Sequence, residues 1–236
     1  MYLYIPVKIH SQGNGFIMKK NEDMRTDVQD AISWEPLLKS AEISVSAKDG
    51  VITLTGTVDN FAKKSEAEDA AKNVNGVKEV INEIEIQFDA NEKMGDNEIS
   101  YEVLNALKWN LQVPRDKVHV KVEAGWVILE GELTWNYQKE AAKKSVSNLA
   151  CVKGVINNIS IISETKDQVE QKGIEKALAR NWSIKDQDIH VGVADSRVTL
   201  NGIVHSLYQK NEAGRIAWNA PGVSEVNNEL VIGFMD

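Results

Sequence analysis

The chain has 236 residues, of which 42% are hydrophobic and 26% are charged, and this balance is typical of a soluble globular protein. Its formal net charge of -8 argues against nucleic-acid binding, because contact with phosphates needs a basic surface. The single cysteine, Cys151, excludes an internal disulfide and any metal site built from cysteines.

Residues 1–23 precede the first regular pattern, and we expect them to form a disordered or non-native extension outside the fold. The longest apolar run in this extension is too short for a signal peptide or a membrane span. We therefore expect a cytoplasmic protein, either free or held at the periphery of a membrane.

The first regular pattern predicts a short amphipathic helix, because Val28, Ala31 and Ile32 recur at helical spacing. Pro36 limits this helix. Strict alternation of apolar and polar residues from Ile43 to Ala47 then predicts a half-buried strand.

A hairpin follows, since Asp49-Gly50 favours a tight turn and residues 52–58 alternate again. A second helix is predicted over residues 60–74 and a last strand over 80–86. The order of elements is αββαβ.

The same pattern occurs three times without a gap, as the glycines Gly56, Gly131 and Gly202 show by their separations of 75 and 71 residues. A period near 70 is too long for a solenoid repeat and suits a small domain. The sequence therefore predicts an α+β protein of three tandem αββαβ domains, each a three-stranded mixed sheet with two helices packed on one face. Their predicted bounds are 24–88, 97–162 and 167–234.

Two kinds of residue recur at inward positions and are interpreted as structural. The glycines Gly56, Gly131 and Gly202 fall on the core face, where a missing side chain would let a helix approach the sheet. The amides of Asn82, Asn157 and Asn228 fall on the inward face of the last strand, where burial requires hydrogen bonds. We expect these amides to satisfy backbone groups of a loop or a helix end.

The middle repeat differs from its neighbours in charge and in aromatic content. Residues 24–88 carry 7 basic and 12 acidic side chains, whereas residues 95–163 carry 8 of each. Aromatic rings beside lysines suit the headgroup region of a bilayer. The candidate residues for contact with lipid or a partner are Trp126, Ile128, Trp135, Tyr137, Lys139, Lys143 and Lys144. Two alternatives stay open: the lysines are solvated helix residues, or Trp126 and Ile128 cover a neighbouring domain on the open sheet face.

Each repeat joins a turn, a glycine-containing strand and a closing strand in a characteristic order. The central strands read ITLTGTV, ILEGEL and VTLNGIV, and the closing segments read NGVKEVINEIEI, CVKGVINNISI and PGVSEVNNELVI. This pattern resembles the BON domain, named from osmotically inducible and nodulation proteins, over residues of about 25–88, 97–162 and 168–234. The resemblance implies an αββαβ fold, binding of phospholipid surfaces, a link to stress responses and no enzymatic reaction.

The residues themselves also give no indication of a catalytic site. HExxH, G-x-S-x-G and phosphate-binding loop motifs do not occur in the sequence. His119 and His190 share an outward strand position, which is typical of solvated histidines rather than of a metal site. We therefore expect no catalytic residue, no metal and no cofactor.

Two functions follow from these observations. In the first, the protein binds anionic phospholipid surfaces weakly, and its linked domains add avidity. In the second, it is a protein-interaction scaffold or a holdase-like factor that offers open sheet faces to other proteins. The sequence does not fix the oligomeric state.

Overall fold

A computed structural model describes residues 20–39, 41–88, 94–162, 169–184 and 188–233. The prediction of a disordered extension therefore lies largely outside the described residues. The first helix begins at Asn21, inside the segment that the sequence pattern leaves outside the first repeat.

The predicted α+β class and the αββαβ order are confirmed in all three repeats. The first repeat contains α1 Asn21–Trp34, β1 Glu42–Lys48, β2 Val51–Val58, α2 Phe61–Lys72 and β3 Glu79–Ile86. The second contains α3 Asp96–Trp109, β4 Val118–Glu123, β5 Trp126–Leu133, α4 Asn136–Ser147 and β6 Gly154–Ile161. The third contains α5 Gln171–Arg180, β7 Asp188–Ala194, β8 Arg197–Val204, α6 Leu207–Trp218, β9 Glu225–Asn228 and β10 Val231–Ile232.

Each sheet is mixed, with the second strand of the repeat at its centre. In the first repeat β2 pairs antiparallel with β1 and parallel with β3, and the other two repeats follow the same plan. The third repeat differs in one detail, because its closing strand is interrupted between β9 and β10, which both pair with β8. The hairpins and the crossover helices therefore set the same topology three times.

Three separate cores hold the fold together, one for each repeat. In each core the inward residues of the central strand, such as Leu129, pack against both helices of the same repeat. The residues Leu54, Leu129 and Leu200 are fully buried. The first and third repeats touch, since Leu207 at the start of α6 packs against the core of the first repeat.

The inward position of the repeated glycine suggests that a helix packs closely against it. The structure gives a different reason for the glycine. Gly56, Gly131 and Gly202 have φ values of 132°, 140° and 133°, a region that side chains rarely adopt. A Cβ atom at Gly131 would lie well below 3.0 Å from the carbonyl oxygen of Lys117, the residue directly before the neighbouring strand β4. The glycine is therefore required by close contact within the sheet, and the interpretation as a helix-packing site is wrong.

The repeated asparagine joins the closing strand to the second helix. The amide nitrogens of Asn82, Asn157 and Asn228 donate to the carbonyl oxygens of Lys64, Lys139 and Lys210, at 3.0, 2.9 and 2.7 Å. The Asn157 Oδ1 atom accepts a weaker bond from the backbone nitrogen of Ile159, at 3.4 Å. Each amide thus bridges the sheet and a carbonyl group inside the helix, rather than a loop or a helix end.

We expect Asn157→Ala to lower the free energy of unfolding of the middle repeat by about 1 to 2 kcal/mol, because two partly buried hydrogen bonds are lost. Equilibrium unfolding in urea, followed by hydrogen exchange of β6 amides, measures this loss. Asn158→Ala is the matched control, since that neighbouring residue is exposed on the outer face of the same strand. Equal stability of the Asn157 and Asn158 variants would contradict the bridging role.

Candidate functional site

Trp126 and Ile128 lie on the outer face of β5, on the side of the sheet opposite the helices. Val127 and Leu129, which alternate with them, are fully buried. Ile128 is the register partner of Ile156 on β6, and Trp126 and Ile156 are each almost half exposed. We call these three residues, Trp126, Ile128 and Ile156, the outer-face patch.

Gly154 makes room for the ring of Trp126. These two residues are register partners, and a Cβ atom at Gly154 would overlap the six-membered part of the indole. In the third repeat the same two positions hold Arg197 and Glu225, whose side chains form an ion pair at 2.8 Å. The middle repeat thus replaces an ion pair by an indole lying over a glycine.

The remaining predicted site residues belong to α4 or to its start, on the other side of the same sheet. Trp135 is half-buried at the position before the helix, and its backbone nitrogen donates to Gln138 Oε1 at 3.2 Å. The equivalent positions of the other repeats hold the capping residues Asn60 and Ser206. The structure therefore does not bring Trp126 and Ile128 into one surface with the lysines of α4.

Lys139 is a structural residue rather than a solvated or lipid-binding lysine. Its Nζ atom donates to the carbonyl oxygen of Ile159 at 2.7 Å. Lys64 makes the equivalent bond to Ile84 in the first repeat, also at 2.7 Å. Because the ammonium group is held against the closing strand, we remove Lys139 from the candidate contact site.

Tyr137, Lys143 and Lys144 are exposed, but they face the first repeat. All three line a cleft of about 600 Å³ together with residues of α2, among them Glu66 and Asp69. Acidic residues of the first repeat therefore stand opposite the two lysines that the sequence assigns to a lipid surface.

An exposed apolar surface that the sequence analysis missed lies on α3. Tyr101 and Leu104 are exposed on this helix, outside the stripe of buried residues Ile99, Val103 and Leu107. Trp109 ends the helix with 79% of its surface exposed, and Leu111 is fully exposed just beyond it. We call Tyr101, Leu104, Trp109 and Leu111 the α3 face.

Basic groups accompany the α3 face. The Nζ atom of Lys108 lies 5.9 Å from the centroid of the Trp109 ring. Arg115 and Lys117 are exposed in the short 3₁₀ turn that follows. Exposed carboxylates of Glu98, Glu102 and Asp116 lie on the same helix and turn, so the charge of this surface is mixed. Apolar side chains beside cationic groups suit an interface between apolar and anionic surroundings.

This surface can be found in the sequence by comparing equivalent positions of the three repeats. The positions of Tyr101, Leu104 and Lys108 are occupied by Thr26, Gln29 and Ser33 in the first repeat and by Lys172, Glu175 and Ala179 in the third. The pattern that predicts the fold consists of positions that the repeats share, whereas Tyr101, Leu104 and Lys108 stand at positions in which the middle repeat differs.

Tryptophan is the exception to this difference, because each repeat exposes one near the end of its first helix. Trp34, Trp109 and Trp182 are 82%, 79% and 81% exposed. Trp34 and Trp109 occupy equivalent positions and Trp182 lies two residues beyond the third, Arg180, so each domain presents one large apolar ring to the solvent.

Neither metal chemistry nor a membrane span is indicated in the described part of the chain. Among those residues no group of three or more metal-binding side chains occurs. Their helices are also too short or too polar to traverse a bilayer.

The solved structures that this chain resembles include two distant neighbours. The C-terminal domain of CdsD, a structural protein of the type III secretion system of Chlamydia trachomatis, is 17% identical and covers 91% of this chain and 99% of its own, with a TM-score of 0.25. The periplasmic domain of PrgH is 10% identical and covers 87% of this chain and all of its own, with a TM-score of 0.22.

Comparison by sequence is more informative. Osmotically-inducible protein Y of Escherichia coli K12 is 32% identical over 127 residues, which cover 52% of this chain and 63% of that protein. The family model of the BON domain matches residues 20–87, 95–163 and 166–233. The chain therefore belongs to the BON-domain family and consists of three BON domains in tandem.

Proposed function

We propose that this protein is a non-enzymatic stress-response protein that binds phospholipid surfaces weakly through the α3 face of its middle domain. The exposure of Tyr101, Leu104, Trp109 and Leu111 on one helix and its end is the observation that carries the proposal. The stress role rests on the resemblance to osmotically-inducible protein Y.

The energetics favour a reversible attachment. Moving a leucine or tryptophan side chain out of water contributes about 1.5 to 3 kcal/mol when burial is complete. A basic residue near an anionic surface adds about 1 kcal/mol, and Lys108, Arg115 and Lys117 supply such groups. The overall charge of -8 opposes approach to an anionic bilayer, so the apolar contacts must carry most of the binding.

The exposed tryptophans of the other domains add to this attachment. Trp34 and Trp182 provide weak second and third contacts on the same chain. Linked weak contacts raise the overall affinity without any new interaction.

Cosedimentation with vesicles tests the proposal, using neutral and anionic phospholipid at low and physiological salt. The test variant replaces Tyr101, Leu104 and Lys108 by the residues of the first domain, as Y101T/L104Q/K108S. We expect this variant to lower the affinity for anionic vesicles at least about tenfold, because even partial loss of two large apolar contacts and one charge exceeds about 1.4 kcal/mol.

Trp126→Val is the matched control, since it removes an exposed tryptophan of the same domain and introduces the residue of the first domain. We expect it to leave vesicle binding unchanged. The lipid proposal would be contradicted if the protein bound none of the vesicles, or if the α3 variant bound them as well as the wild type does.

The outer-face patch favours a second candidate function, binding of another protein. Trp126, Ile128 and Ile156 form an apolar strip on an open sheet face, where a partner side chain or strand would be buried. In this alternative Trp126→Val abolishes protection of an aggregating test protein, whereas Y101T/L104Q/K108S retains it.

A further inference from the structure

The contact between the first and second domains is approximately twofold symmetric. The cleft between α2 and α4 is lined by equivalent positions of the two repeats: Leu37 with Gln112, Ala62 with Tyr137, and Asp69 with Lys144. The members of each pair are 75 residues apart, the same separation as that of Gly56 and Gly131. A twofold contact uses the same surface of both partners, so equivalent positions of the two domains line it together.

The charges at these equivalent positions are opposite in sign. Lys143 and Lys144 of the second domain take the places of Glu68 and Asp69 of the first. Two copies of the first domain in the same arrangement would bring carboxylates together, and two copies of the second would bring lysines together. The charges therefore favour pairing of the first domain with the second and disfavour pairing of either with itself.

The lysines of the second domain influence the pKa values of two acidic residues on α2. Burial and the neighbouring carboxylates of Glu35 and Asp69 raise the pKa of Glu66, and Lys144 opposes this rise. Burial also tends to raise the pKa of Glu68, but hydrogen bonds from Lys72 and Asn82, with the charges of Lys72 and Lys143, outweigh it and lower the pKa. The lysines of one domain thus lie within electrostatic range of carboxylates of the other.

The contact is open and solvated, which makes it sensitive to salt. Lys143, Lys144 and Asp69 are exposed, and the space between α2 and α4 holds a cleft of about 600 Å³. Attraction between exposed charges is screened over about 10 Å at 0.1 M salt and about 3 Å at 1 M.

We propose that α2 and α4 form an ionic-strength-sensitive closure within the chain. At low salt α2 stands opposite Lys143 and Lys144 across the cleft, and at high salt the two domains part. This closure requires no lipid, so its test is independent of the test of membrane binding.

Distance measurement by energy transfer between two dyes tests the closure in the full chain. The dyes are attached to S46C and E130C, exposed positions on the outer sheet faces of the two domains, in a chain that also carries C151G. Glycine is the residue that the other repeats have at that place, as Gly76 and Gly222. We expect the ratio of closed to open molecules to fall about tenfold between 0.1 M and 1 M sodium chloride.

Charge reversal separates the closure from general effects of salt. K143E/K144E is expected to open the domains already at 0.1 M, and the addition of E66K/D69K is expected to restore closure. K172E/K176E, on the exposed surface of α5, makes the same change of charge elsewhere and leaves the distance unaltered. Two results would overturn the proposal. The first is a dye-to-dye distance that changes neither with salt nor in K143E/K144E, and the second is a K143E/K144E chain that stays open after E66K/D69K is added.

Discussion

Replacement of Gly131 by alanine is expected to destabilise the middle domain by at least about 3 kcal/mol, the upper range for a strained backbone position. The φ value of 140° already disfavours any side chain at this residue. The added Cβ atom would also overlap the carbonyl oxygen of Lys117, a backbone atom of the adjoining region that cannot rotate away. Relief therefore requires separation of β4 from β5 at this end of the sheet.

Hydrogen exchange of the β4 and β5 amides measures this destabilisation directly, because it reports each domain separately. Gly173→Ala is the matched control. Gly173 lies in α5 with ordinary space around it, so alanine there is expected to stabilise the helix by up to about 1 kcal/mol. Unchanged exchange in the Gly131 variant would show that the strands accommodate a side chain at this position.

The sequence predicts that this position is special, but it does not show why only glycine fits there. Alternation along the strand places Gly131 on the inward face, and the threefold repetition marks the position as special. The sign of φ and the distance to a neighbouring carbonyl depend on how two strands approach each other, which alternation does not encode.

The fold itself was largely predictable, because each level of the pattern agrees in all three repeats. Helical spacing, strand alternation and the Asp49-Gly50 turn each predict an element that the structure contains. The exception is the closing strand of the third repeat, where a break before Leu230 interrupts the pairing. The sequence alternation continues through this break, so the pattern alone does not reveal it.

The candidate site was less predictable, since surface roles depend on which side chains reach one another. Lys139 looks like a solvated helix lysine until its Nζ atom is seen to bond to Ile159. The shared pattern does not predict the α3 face, because Tyr101 and Leu104 differ from the residues at the equivalent positions of the other repeats.

Leu129→Ala is expected to lower the stability of the middle domain by about 3 kcal/mol, within the range for a fully buried leucine. Leu129 has no exposed surface, lies at the centre of β5 and belongs to a core made only of middle-domain residues. The loss of protection from hydrogen exchange should therefore stay within residues 94–162 of the described chain.

Leu207 is expected to behave differently, because its side chain packs against the core of the first domain although it belongs to the third. The Gly76 backbone nitrogen also donates to the carbonyl oxygen of His205, at 3.3 Å. Leu207→Ala should thus raise exchange around Gly76 in the first domain, whereas Leu129→Ala should not. If both variants affect all three domains equally, the chain unfolds as one cooperative unit, and the separation into three cores has no energetic meaning. If neither crosses a boundary, the packing of Leu207 contributes nothing to the first domain.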